Sequence, residues 1–241
     1  MTNRIRGLAV QFAEMMIGVV LVSVGLSLMI KSELGQTAIT SCTQNIATIT
    51  GIKGGTMVAL LHGASVLLQI VMQRKEFEPI QLFQFAVAWL QGKIVNAICY
   101  DLPGISTWQP DNYLVQWVCM LAAIAITAYG VTVTMAAEFV RMPFEQFAFV
   151  LSEKLHMKFS VLRTRCDMVA LALSLALVLA FHLDFTTLRE GTWASMLLLG
   201  HCMGWFLPTA MRLSLYQRMK KEPARLRTDD RRITTKRRMQ R

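Results

Sequence analysis

The sequence predicts an all-α polytopic membrane protein, with six transmembrane helices arranged as two inverted three-helix repeats. Each repeat carries a short amphipathic connector helix. Three observations predict this fold. Apolar residues make up 54% of the 241 and charged residues only 17%, where a soluble domain carries about a quarter charged. Six apolar stretches approach the ~20 residues that cross a bilayer. The order of features in residues 1–105 also returns in residues 106–217.

The stretches are Leu8–Ile30, Thr56–Met72, Ile80–Tyr100, Tyr113–Met135, Val161–Phe181 and Gly191–Leu213. The first follows Arg4 and Arg6 but exceeds the 7–15 residues, roughly, of a signal-peptide core, so it reads as a retained helix. Of the net charge of +10, residues 218–241 supply +8, through eleven Lys and Arg against Glu222, Asp229 and Asp230. With the N-terminus inside, the inner segments hold 21 basic residues and the outer ones hold only Lys31, Lys53 and Arg189. The positive-inside rule then places both termini in the cytoplasm. The chain is expected in a cell membrane, with 218–241 as a disordered basic tail. Such a tail is attracted to anionic inner-leaflet lipids. Lacking aromatic residues for stacking, it is not expected to bind nucleic acid.

The repeat rests on register. A shift of 105 lays Gly25-Leu-Ser-Leu28 on Gly130-Val-Thr-Val133 and Glu33 on Glu138, and a shift of 108 lays Phe77 on Phe185 and Gly92 on Gly200. Three spans per repeat is an odd number, so the second half must be inverted relative to the first, the build of many secondary transporters. Between the first two spans of each half lies a connector. Gln36–Thr50 places Ile39, Cys42, Ile46 and Ile49 at helical spacing, and Pro143 opens a helix with Phe144, Phe147, Leu151 and Leu155 on one face. Too short to span, these connectors are expected to lie flat at the membrane interface.

The run Gly25-Leu-Ser-Leu-Met-Ile-Lys-Ser-Glu-Leu-Gly35, followed by Thr50-Gly-Ile-Lys-Gly-Gly-Thr56, resembles the first repeat of the YczE-like and YitT-like bacterial membrane proteins. Pro143-Phe-Glu145, Leu162-Arg-Thr-Arg-Cys-Asp167 and Gly191-Thr192 with Gly200 resemble motifs of that family's second repeat. The likeness covers about residues 18–208. Val140 stands where the second repeat usually has Gly, and Ala38-Ile39-Thr40 replaces Pro-aromatic-acid in the first. The resemblance implies six helices and no particular substrate.

An ionisable residue at mid-bilayer costs about 2.5–3.5 kcal/mol on insertion scales and so marks a functional candidate. Lys93 lies deep in the third stretch beside Gly92 and Asn96, and the repeat pairs it with His201. It also pairs His62 with Asp167. These four are expected to surround a central polar cavity. The alternatives are an Arg163–Asp167 neutralising pair, a snorkelling Lys93, and packed, unreactive histidines. Glu14, near the start of the first span, is expected to pair with Arg163 or Arg165 or to carry a proton, and Glu145 joins the candidate pathway. Five scattered cysteines show neither a CxxC pair nor metal-ligand spacing, so no metal or cofactor is expected. Without GxSxG, HExxH, Walker A or GxGxxG runs, an enzyme is not expected either. The expected function is a small secondary transporter for an unidentified small polar or anionic solute. The alternative is an accessory protein that docks a protein partner through its basic tail and loops.

Overall fold

A computed structural model describes residues 2–217 and residue 219. The basic tail, Met219 apart, therefore lies outside the described residues. Those residues form eight α-helices: α1 (Thr2–Ser32), α2 (Ala38–Thr50), α3 (Gly54–Gln73), α4 (Phe83–Asn96), α5 (Tyr113–Ala137), α6 (Pro143–Lys154), α7 (Phe159–Ala180) and α8 (Glu190–Leu213). A π-turn, Ala97–Asp101, continues α4. Five of them, with their short flanking turns, are long and apolar enough to cross a membrane: α1, α3, α4, α5 and α8. At 22 residues α7 is comparably long, but it carries Arg163, Arg165 and Asp167 in its first turns.

Helices α1 and α5 form the central pair because small residues let their backbones approach. A methyl group on Gly25 would lie 2.9 Å from the Ala123 carbonyl oxygen, and one on Gly130 would lie 2.8 Å from the Val22 amide nitrogen. Buried Met29, Leu34, Met120 and Ile124 fill one end of this pair, and Met15, Val19 and Val131 the other. Lys31, buried at the end of α1, donates from Nζ to the Ser106 and Trp108 carbonyls at 2.6 and 3.2 Å. That pins the 102–112 loop.

The remaining helices close a ring around a shared centre. Helix α4 packs on α1 and α8 on α5, α3 packs on α4, and α2 and α6 each bridge α3 and α7. One seam is nearly without contact, the one between α7 and α8. Helix α8 is accordingly the least covered of the five candidate spans, with 11% of its apolar window buried against 50% for α1 and α5.

The connectors pack into the bundle. Helix α2 buries Thr40, Ser41, Cys42, Thr43, Gln44 and Asn45 within the bundle and leaves Ile39, Ile46 and Ile49 partly exposed. The polar face points inward because its groups find partners there and would find none in hydrocarbon. Asn45 donates from Nδ2 to Ser174 Oγ at 2.8 Å, Thr187 donates to Asn45 Oδ1 at 2.8 Å, and Ser41 donates to the Thr187 carbonyl at 2.6 Å. In α6, Pro143, Ala148, Val150 and Ser152 are buried in the same way.

Five non-glycine residues hold positive φ: Glu33 (57°), Arg74 (48°), Glu138 (50°), His156 (52°) and His182 (51°), and Gly51 sits at 71°. Each follows the end of a helix; Gly51 and Glu138 are left-handed caps, where such a residue satisfies the last carbonyls, whereas Arg74 has ψ −106°. All five cysteines are free.

Candidate functional site

At the centre of the ring is a cavity of about 370 Å³ with walls from all eight helices. Most of its lining is apolar, as with Val22 and Leu26 of α1, Val58 of α3, Val131 of α5 and Met196 and Leu199 of α8. Its polar groups fall into two sets.

The first set is ionic. Arg163, one turn before Asp167 on α7, holds its Nε 3.5 Å from Asp167 Oδ2, and its Nη1 lies 3.9 Å from Glu145 Oε1 at the start of α6. Its guanidinium also lies over Phe144, with Cζ 4.5 Å from the ring centroid. The three charged side chains are 18–24% exposed. One guanidinium therefore serves two carboxylates from over an aromatic ring, a task that its planar, multi-donor head suits better than a lysine ammonium.

The second set is neutral. His62 on α3 is 8% exposed and Gln91 on α4 is 2% exposed, and both line the cavity. His62 Nδ1 and Gln91 Oε1, like Arg163 Nη1 of the ionic set, make no hydrogen bond of ordinary geometry, although the His62 and Gln91 side chains interact with each other. Burying such an atom without a bond costs about 1–3 kcal/mol, so a ligand with a complementary group would recover energy here. Thr40 and Thr43 of α2 add hydroxyls to the wall. Among the described residues no group of three or more His, Cys, Asp or Glu has the arrangement of a metal site.

Three residues singled out in the sequence, His62, Asp167 and Glu145, thus meet at one cavity. The expected quartet needs correcting at its other two members. Lys93 is exposed on the outer wall of α4, with Nζ 5.6 Å from the centroid of Trp89 one turn earlier. His201 is exposed on α8, where Nδ1 lies 2.6 Å from the Leu197 carbonyl. In both cases the neighbouring glycine, not the ionisable residue, faces inward: Gly92 against α3 and Gly200 on the cavity wall. Asn96 is a latch. Its Oδ1 accepts from the Gly55 amide at 2.9 Å and its Nδ2 donates to Thr56 Oγ1 at 2.8 Å, joining α4 to α3. Glu14 meets neither Arg163 nor Arg165. It accepts from Ser214 Oγ at 2.8 Å and from the Leu215 amide at 2.6 Å, tying α1 to the end of α8.

Gln91 and Arg163 are the members that sequence reasoning undervalued. A glutamine in mid-span is as conspicuous in lipid as a histidine, and it sits two residues before the lysine that drew attention instead.

Compared with known proteins, residues 9–208 match the model of a family described as a family of unknown function, DUF6198. No curated protein and no solved structure matches the chain. The matched stretch runs from within α1 to Pro208 in α8 and takes in every cavity-lining residue, so the chain belongs to the DUF6198 family of unknown function.

Proposed function

We propose that this chain is a small secondary transporter, built from two inverted three-helix repeats, whose solute occupies the cavity at the centre of the ring. In this reading α7 is the sixth membrane-spanning helix. Both termini face the cytoplasm of a bacterial cell, and the tail rests on anionic inner-leaflet lipids. Kinship with the YczE-like and YitT-like proteins is part of the same proposal.

Backbone geometry supports the repeat. Glu33 and Glu138, and Gly51 and His156, are positive-φ pairs each 105 residues apart, and Arg74 and His182 are a third pair 108 apart. Helices α2 and α6, and α3 and α7, also begin 105 residues apart. A positive φ costs an ordinary residue about 1 kcal/mol or more, so three such pairs at two fixed offsets are hard to assign to chance. Contacts recur under the same exchange. Gly25 meets Thr127 as Gly130 meets Val22, and α2 meets α7 as α6 meets α3.

The observation that carries the transport reading is the cavity itself, ringed by both halves and holding buried polar atoms that make no ordinary hydrogen bond. Its two hairpin walls differ: α3 and α4 are closed on each other, while α7 and α8 stand apart. Inverted repeats that exchange such conformations expose one site to each side in turn. The test is uptake into proteoliposomes containing the full chain, with a panel of labelled small solutes and an imposed pH gradient. At least one solute should accumulate in a manner abolished by Arg163→Ala. Failure of every solute to move, under gradients of either sign, sinks the reading.

A further inference from the structure

The cavity has a charge pattern and a doorway, and together they specify a class of ligand. Its charged lining consists of Arg163, Asp167 and Glu145, formally −1 with His62 neutral. The starts of α2, α6 and α7 also face it, and each contributes about half a positive charge at most, spread over its first turn. Credited in full, these partial charges offset the formal charge, but the full negative charges stay localised on Glu145 and Asp167. The one guanidinium lies within 4 Å of two carboxylates and beside Phe144, with its Nη1 making no hydrogen bond. An anionic head would have to reach it past both carboxylates, whereas a cationic head would meet two carboxylates held by a single counter-charge.

The doorway is the α7/α8 seam. Ser160 and Gly200 both line the cavity from opposite sides of it, and a methyl group on Gly200 would meet nothing within 4 Å. The outward faces of α7 and α8 are lipid-compatible: Val169, Leu197 and Trp205 are 68%, 67% and 82% exposed. The seam between them would give a molecule dissolved in the bilayer a path to the cavity, whose mainly apolar lining suits an apolar body.

We propose that the cavity binds a monovalent cationic amphiphile that enters sideways through the α7/α8 seam and seats its positive head between Glu145 and Asp167. This names the substrate class for the transport reading, yet it concerns binding alone. The anionic alternative expected from the sequence becomes the counter-arm of the test.

The test uses purified full-length chain in nanodiscs, with labelled tetraphenylphosphonium and tetraphenylborate as probes of similar shape and opposite charge. Saturable binding of the phosphonium is expected, with the borate showing none above empty nanodiscs. Glu145→Gln and Asp167→Asn should each weaken phosphonium binding about tenfold or more, and Lys93→Gln, on the outer wall, should leave it unchanged. Elution volume and melting temperature report whether each variant folds. Should the carboxylate variants unfold by stranding Arg163, Ser160→Trp decides: filling the seam from its exposed edge should slow phosphonium association without altering the charges. Equal or preferred binding of the borate overturns the proposal, as does phosphonium binding indifferent to the carboxylates, or to Ser160→Trp where those variants fail to fold. Phosphonium binding without flux of any solute would leave this inference standing and remove transport. Flux of an anion with no phosphonium binding would do the reverse.

Discussion

The α3–α4 hairpin and the α7–α8 pair, counterparts under the proposed repeat, end up in opposite conditions. In the first, Gly55 and Gly92 bring the two backbones together, and a methyl group on Gly92 would come within 2.7 Å of Ala59 Cβ. Asn96 then bonds across to Gly55 and Thr56, and an ion pair between Lys53 and Asp101 closes the end. In the second pair the offset of 105 puts Ser160 at the place of Gly55. The offset of 108 puts Gly200 at the place of Gly92 and Gly204 at that of Asn96. Neither Gly200 nor Gly204 has anything within 4 Å of where a Cβ would sit. Small residues thus permit close approach without causing it. In lipid, where no hydrophobic force drives helices together, association needs packing and a polar bond, and only one of the two pairs has both.

This contrast can be broken where it is strongest. Gly92→Leu must push α4 off α3 and is expected to destabilise the protein by about 3 kcal/mol or more. Gly200→Leu, facing open space, should change stability by less than ~0.5 kcal/mol. Midpoints of reversible SDS unfolding measure both, and equal losses would mean that the seam is closed in the membrane. Next in size is Asn96→Ala, which leaves the Gly55 amide unpaired and should cost about 1–2 kcal/mol in the same assay. Transplanting the latch sharpens the comparison. Gly204→Asn with Val161→Thr should raise the midpoint by about 0.5 kcal/mol and slow phosphonium entry, since it offers α8 the bond to α7 that α4 has to α3. The smallest effect belongs to Lys93→Met. Removing an exposed contact with Trp89 should shift stability by no more than ~1 kcal/mol, and a larger loss would return Lys93 to the interior.

How much of this was legible in the sequence depended on which coordinate was being read. Position along the chain was clear. The start of α6 at Pro143, the end of α2 at Thr50 and the course of α5 follow from proline, glycine and the apolar runs. Position around a helix was not. Lys93 was placed by depth alone, and depth is silent about azimuth, which advances ~100° per residue in a helix of 3.6 residues per turn. Trp89, four residues earlier and 62% exposed, was the available signal for the outer face. The same gap touches α2, where the helical spacing of the apolar residues was read and the polar face was not. In a bilayer the buried face of a short helix is the one whose polar groups need partners, and Ser41, Thr43 and Asn45 declare it. The proposed register pairs His62 with Asp167, and both line the one cavity. Gln91 has no counterpart to draw attention to it and was passed over.

The clasp between Glu14 and the turn after α8 has a practical consequence. Gln217, just beyond, donates to the Ala136 carbonyl at 3.0 Å and to Glu138 Oε1 at 2.9 Å. The root of the C-terminal extension is thereby fastened to α1 and α5, the central pair of the bundle. A load on that extension, whether a fused tag or an immobilising surface, is delivered to this frame and bypasses the loose flank of α8. Reporter proteins can therefore be attached at the C-terminus with the entrance to the central chamber undisturbed.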